Sequence, residues 1–294
     1  METSYTGSGP YCYANSLAMV LGAPAPSPSD IEVLTGSPFG MQFQNGTPYF
    51  DAPGWDPVIG LPAALDLLGW HADWTSGGPA ADAVARLRAA TREGSVFVGP
   101  VEIELLRHAP DMTGPIGSDH FVVVLDVAEQ VVFHDPQGFP FATLPIDEFC
   151  AAWGSNSFDY PAEPFTMLSG FRRTRDVDVL DALAASLPQA RDRLGNGASS
   201  AAAATKLAGM IAAGPDEGLR AHLANFAVKV GTRRLADAAT SLSRIGATAA
   251  AAVATEQARL LGALQYPLVM GDNTAAAHLL HQLASTYPQL AASL

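Results

Sequence analysis

Residues 118–153, SDHFVVVLDVAEQVVFHDPQGFPFATLPIDEFCAAW, leave the chain little choice of local structure. Val122, Val123, Val124 and Leu125 follow one another directly, and β-branched side chains fit a pleated strand better than a helix. The spacing predicts a strand opened by His120, a tight turn near residues 128–130, and an antiparallel return through VVFHD. A further turn, a short third strand and a helix follow. A hairpin that turns at Ala128 and Glu129 brings His120 and Asp135 to the same end of the sheet. There the carboxylate accepts one ring N–H of His120 and sets its tautomer, which leaves the other nitrogen facing a nucleophile.

The nucleophile this hairpin calls for lies near the start of the chain. In GSGPYCYANSLAMVLG, Gly7, Gly9 and Pro10 break regular structure, after which Ala14, Leu17, Ala18 and Leu21 recur at helical spacing. Cys12 is therefore expected at a helix N-terminus, where unpaired N–H groups and the helix dipole favour a thiolate and can hold an oxyanion. A lone Cys most often only packs; the ordered series Cys12, His120, Asp135 carries more weight than any one of its members. His134 competes as base, but an alternating strand turns it to the face opposite Asp135. His71 and His108 have no comparable positional argument as bases.

The remaining first half reads as helices and strands around this pair. Ser29 or Asp30 caps a short helix through Ile31 and Leu34, and 61–68 and 79–91 are amphipathic helices. Between the first two lies an irregular loop carrying Phe39, Phe43 and Trp55, candidates to wall a substrate cleft or simply to pack. SVFVGPVEIELL is expected as a central strand with a Gly-Pro interruption, on which Glu102 and Glu104 alternate with apolar residues; with His108 they are candidate substrate contacts. PFTMLSGFRR is expected as a last edge strand. From Val177 aromatics nearly vanish and Ala, Leu and Arg dominate, in five segments of helical periodicity punctuated by GNGASS, AGPDEG and PLVMGDN. The reading is thus an α+β domain, residues 1–175, with helices on an antiparallel sheet, followed by a helical bundle, residues 176–294.

Charge and cysteine usage narrow the functional classes. With 16 Lys and Arg against 29 Asp and Glu, a net charge of −13 argues against a nucleic-acid partner. The basic clusters are Arg172, Arg173 and Arg175, and Lys229, Arg233 and Arg234. Two cysteines make no disulfide framework or metal spacing, and no signal-peptide pattern opens the chain, so a cytoplasmic protein without metal or membrane span is expected. His278 and His281 lack a third ligand nearby.

GPYCYANSLAMVLG, IEVLTGSPFGMQF, VFVGPVEIELLRH, SDHFVVVLDV and VVFHDPQG together resemble the motif series of the butirosin biosynthesis protein H family, over about residues 1–172. That domain is in turn similar to papain-like bacteriocin-leader peptidases, and the helical tail resembles the region often attached to it. The resemblance implies a papain-like cysteine acyltransferase of specialised metabolism, such as antibiotic biosynthesis. It would take an acyl group from the phosphopantetheine thioester of an acyl carrier protein and pass it to a small-molecule amine or hydroxyl. No cofactor of its own is implied. Cys12 would be nucleophile, His120 base and Asp135 the orienting acid. Thr6 stands where papain-like enzymes often place a Gln oxyanion donor, so Tyr5, Thr6, Asn15 or a backbone N–H is expected in that role. A papain-like peptidase or amidase with the same three residues, and a binding or scaffold protein in which Cys12 only packs, are the competing classes. The helical region is a candidate surface for carrier docking or homodimer formation.

Overall fold

A computed structural model describes residues 7, 9–23, 25–110 and 112–294. In chain order they form α1 (Cys12–Leu21), α2 (Pro28–Leu34), β1 (Gln42–Gln44), β2 (Thr47–Tyr49), α3 (Pro57–Leu67), β3 (Trp70–Thr75), α4 (Ala80–Thr91), β4 (Val96–Glu102), β5 (Asp119–Val127), β6 (Gln130–Asp135), β7 (Phe139–Pro145), α5 (Ile146–Trp153) and β8 (Met167–Arg173). The helices α6 (Val179–Leu194), α7 (Ala198–Ala212), α8 (Glu217–His222), α9 (Val228–Arg244), α10 (Thr248–Met270) and α11 (Asn273–Ser293) complete the chain. The fold is mixed α and β, with an antiparallel sheet and a helical C-terminal region. The chain divides into two units, residues 1–31 with 69–176, and residues 32–68 with 177–294.

The first unit is organised by a six-stranded sheet in the order β3-β8-β4-β5-β6-β7, every neighbouring pair antiparallel. Its middle strands are buried on both faces, which accounts for the unbroken apolar run in β5. Val96, Val98, Val122 and Val124 cluster with Ala83 and Leu87 of α4 and with Phe149, Ala152 and Trp153 of α5. The alternate residues Phe97 and Phe121 pack on each other at 5.5 Å, and Tyr13 of α1 meets Phe121 edge-on at 5.9 Å. The Ser16 hydroxyl donates to the Phe121 carbonyl at 3.0 Å, so α1 is tied to β5 by both packing and a hydrogen bond.

Two expectations for this unit are corrected. PFTMLSGFRR is no edge strand: β8 lies between β3 and β4, with Leu168 paired to Trp74 on one side and Phe97 on the other. Met167 and Leu168, two adjacent apolar side chains, are both buried in that inner position. The strand expected through 95–106 stops at Glu102, and Ile103–Leu105 form a turn of 3₁₀-helix. The buried Glu102 carboxylate drives this ending, because it accepts the Gly117 N–H at 2.8 Å and the Glu104 N–H at 3.4 Å.

The second unit builds its helices around a segment expected to belong to the first. Glu32, fully buried, accepts from Arg234 of α9 at 2.7 Å, and Asp51 lies 3.5 Å from the same guanidinium. Arg234 also stacks over Trp55 at 5.2 Å, and the Met41 N–H donates to Ser200 of α7 at 3.0 Å. Residues 32–68 thus pack with the bundle, and the first unit is not the continuous stretch 1–175. The expected start of the bundle, 176, falls one residue before the chain returns at Val177. PLVMGDN is helical through Met270, with Pro267 inside α10, and ends in the left-handed Gly271. Between α8 and α9, Leu223–Ala227 widen into a π-turn. Gly197, at φ 78°, caps the start of α7 against the Tyr287 backbone, which a Cβ would meet at 2.5 Å.

Candidate active site

Cys12 is the first residue of α1, half-buried, and the first helical hydrogen bond runs from the Asn15 N–H to the Tyr11 carbonyl at 2.9 Å. The Cys12 amide therefore precedes the helical ladder. No Asp or Glu occupies the first turn, so the positive end of the helix is not offset by a local carboxylate.

β5 and β6 supply the other two groups. They are joined at Ala128 and Glu129 as the sequence predicts, with Val123 opposite His134 and Val124 opposite Phe133. The His120 Nε2–H donates to Asp135 Oδ1 at 2.8 Å, and both side chains are 2% exposed, so water does not compete for this bond. His120 also makes a hydrogen-bond contact with the Cys12 thiol, for which Nδ1 is the remaining ring nitrogen. Cys12, His120 and Asp135 are thereby brought together.

The electrostatics follow from these contacts. Burial alone works against a charge on His120, but the hydrogen bonds to Asp135 and Cys12 and the negative charge they carry outweigh it, pushing His120 up to about 10. Burial likewise opposes ionisation of Asp135, yet hydrogen bonds from His108 and His120, the His120 charge and the Gln137 N–H hold it well below the usual carboxylate range. Cys150 stands in contrast: burial, then Asp147, pushes its thiol up.

The other candidates are differently placed. Asn15 is buried with Nδ2 donating to the Tyr11 carbonyl at 2.6 Å, which closes the first turn of α1. Tyr5 and Thr6 lie outside the described residues. Glu102 holds the Gly117 N–H and the Ser157 hydroxyl, and Glu104 accepts from Thr113 N–H at 3.0 Å and hydroxyl at 3.1 Å, so both carboxylates brace loops. Phe39, Phe43 and Trp55 belong to the second unit. Phe39 and Trp55 are core residues there, Trp55 donating its ring N–H to the Thr35 carbonyl, and the Phe43 ring lies 4.0 Å beneath Lys206 Nζ. His134 accepts the Phe141 N–H at Nδ1, and His71 is an exposed partner of Asp73.

His108 is the residue whose place the sequence did not reveal. It follows the 3₁₀ turn, and its Nε2–H donates to Asp135 Oδ2 at 2.8 Å with the side chain only 7% exposed. Neither periodicity nor motif spacing connects a turn residue to a carboxylate on β6.

Of the basic clusters, Arg172 pairs with Asp73 and Arg173 with Asp176 at the surface, while Arg234 is buried and makes no patch with Lys229 and Arg233. Among the described residues no helix is long and apolar enough to cross a membrane, and no group of three or more His, Cys, Asp or Glu could hold a metal ion.

Residues 195–294 match the family model described as the YobF C-terminal domain. The uncharacterized protein YobF of Bacillus subtilis (strain 168) is 33% identical over 161 residues, which cover 53% of this chain and 52% of that protein. The chain thus spans about half the length of the curated relative it matches.

Proposed function

We propose that this protein is a cysteine-dependent acyltransferase whose first unit works as a papain-like catalytic domain. The observation that carries the reading is the contact series Cys12, His120, Asp135 Oδ1, with the thiol at the first residue of a helix. In the proposed reaction the Cys12 proton rests on His120 Nδ1, so that a thiolate faces an imidazolium, and the thiolate attacks the carbonyl carbon of an acyl thioester. The resulting oxyanion is met by the Cys12 amide ahead of the helical ladder. Collapse expels the donor as a thiolate, which takes the proton from His120 Nδ1 and departs as a thiol, leaving an acyl-Cys12 intermediate and a neutral imidazole. An amine or hydroxyl acceptor then attacks that carbonyl, His120 accepts its proton, and Cys12 leaves as the thiolate. Asp135 stays ionised throughout and holds the ring of His120 in one orientation.

The phosphopantetheine thioester of an acyl carrier protein is the donor suggested by the butirosin biosynthesis protein H resemblance. Arg172 and Arg173, which pair with Asp73 and Asp176 at the surface, are the basic residues proposed to meet an acidic carrier. Intact-mass measurement after incubation with an acyl-pantetheine thioester tests the covalent step. The expected result is a single acyl adduct that is retained in Cys150→Ser and absent in Cys12→Ser. Loss of the label at equal rates with and without amine acceptors would replace transfer by hydrolysis.

A further inference from the structure

The Asp135 carboxylate is shared. Oδ1 accepts from His120 Nε2 at 2.8 Å and from the Gln137 N–H at 2.8 Å, while Oδ2 accepts from His108 Nε2 at 2.8 Å. The His108 ring is clamped edge-on between Phe133 of β6, at 4.9 Å between centroids, and Phe139 of β7, at 5.1 Å. Both interplanar angles are within a degree of perpendicular, 89° and 90°. Its Nδ1 is buried with no hydrogen-bond partner among the described residues. An ionised carboxylate only accepts, so His108 must carry its proton on Nε2; a second proton on Nδ1 would be a buried donor with no acceptor. The phenylalanine clamp therefore holds the ring with its Nε2–H aimed at Oδ2.

From this geometry we infer that His108 is a positioning residue of the proposed catalytic centre: it fixes the Asp135 carboxylate plane, so that Oδ1 stays in line with His120 and His120 stays in line with Cys12. The inference rests on the acyl-Cys12 reading for its catalytic consequence and on the Asp135 contacts alone for its structural one. Without the His108 N–H, Oδ2 becomes a buried anionic oxygen lacking its His donor, and rotation or protonation of the carboxyl relieves it at the expense of the His120 bond. Among the described residues, the charged and titratable groups that reach this point include Cys12 from α1, His120 from β5 and Asp135 from β6. His108 itself comes from the turn before β5.

The test compares His108→Leu, His108→Asn and His108→Gln in the full chain carrying Cys150→Ser. Gln extends an amide N–H to about where Nε2 lies, whereas Asn is too short and Leu has no donor. Two readings are taken: the rate of Cys12 acylation by an acyl-pantetheine thioester, and the ¹⁵N NMR titration of the His120 ring, assigned by its loss in His120→Gln. His108→Leu and His108→Asn are expected to slow acylation by about tenfold or more and to move the His120 titration down by about one pH unit. His108→Gln is expected to stay within about threefold of the parent and to keep the titration high. Should Leu fail to fold, Asn gives the same comparison. A His120 titration and rate unchanged in Leu or Asn overturns the positioning role, as does a folded Gln variant that behaves like Asn. Absence of any acyl adduct on the parent instead overturns the acyltransferase reading, and the His120 titration still decides the role of His108.

Discussion

Asp135 governs the protonation of the imidazole beside Cys12, and the pair makes stability depend on pH from both sides. The fold raises His120 from 6.5 to about 10, so its contribution is fully present below about pH 6.5 and is lost as pH rises toward 10. Asp135 is depressed below its ordinary 3.8, so its contribution is fully present above about pH 4 and is lost as pH falls below that. The window in which both operate lies between about pH 4 and pH 6.5. Asp135→Asn is therefore expected to lower the thermal midpoint more at about pH 5.5 than at about pH 10.5. A deficit that is the same at both would mean that His120 is not held charged by Asp135. At this scale Cys12, His120 and Asp135 were legible in the sequence because each is tied to a local pattern, a helix start or a strand end. His108 was not, because a turn carries no period and its partner lies 27 residues away.

Among the elements, β4 and β5 do most to position the site, since α1 rests on one face of them and α4 and α5 on the other. Phe121 is the contact that ties these layers together, touching Phe97 within the sheet and Tyr13 on α1 while only 1% exposed. Phe121→Ala should destabilise the protein by about 3–5 kcal/mol in urea denaturation, and should slow Cys12 modification by loosening α1. A loss below about 1 kcal/mol would show that α1 is held by something other than this packing. The strands themselves were read from β-branched runs, but two of their limits were not. Glu102 ends β4 through bonds to Gly117 and Ser157, and β8 enters the middle of the sheet; both depend on partners distant in the chain.

Over the whole molecule, the two units are threaded by a chain that leaves the first at Ile31, builds part of the second, and returns at Gly69. The Glu32–Arg234 pair illustrates what holds residues 32–68 to the helices: one partner is fully buried and the other is 8% exposed. Arg234→Ala should cost about 3–5 kcal/mol, because it leaves a carboxylate buried without its guanidinium. The neighbouring Arg233→Ala, which removes an exposed pair with Asp237, should cost less than about 0.5 kcal/mol. Equal effects of the two would remove the argument that charge burial locks this segment in place. Composition marked the return of the chain at Val177 because aromatics give way to Ala and Leu there. It gave no sign of the excursion at 32–68, where aromatic and polar residues suit either unit.

What the sequence determined by itself is what short-range physics encodes. Helical and strand periods, the β5–β6 turn, and the order Cys12, His120, Asp135 all follow from side-chain volume, branching and spacing along a few tens of residues. The tertiary structure decided what depends on pairing across the chain: which strand sits inside the sheet, which segment joins the helices, and which donor fills the second oxygen of Asp135. A buried charge must find its partner wherever the fold supplies one, and sequence distance does not constrain that choice. His108 on Oδ2 and Arg234 on Glu32 are both solutions of that kind.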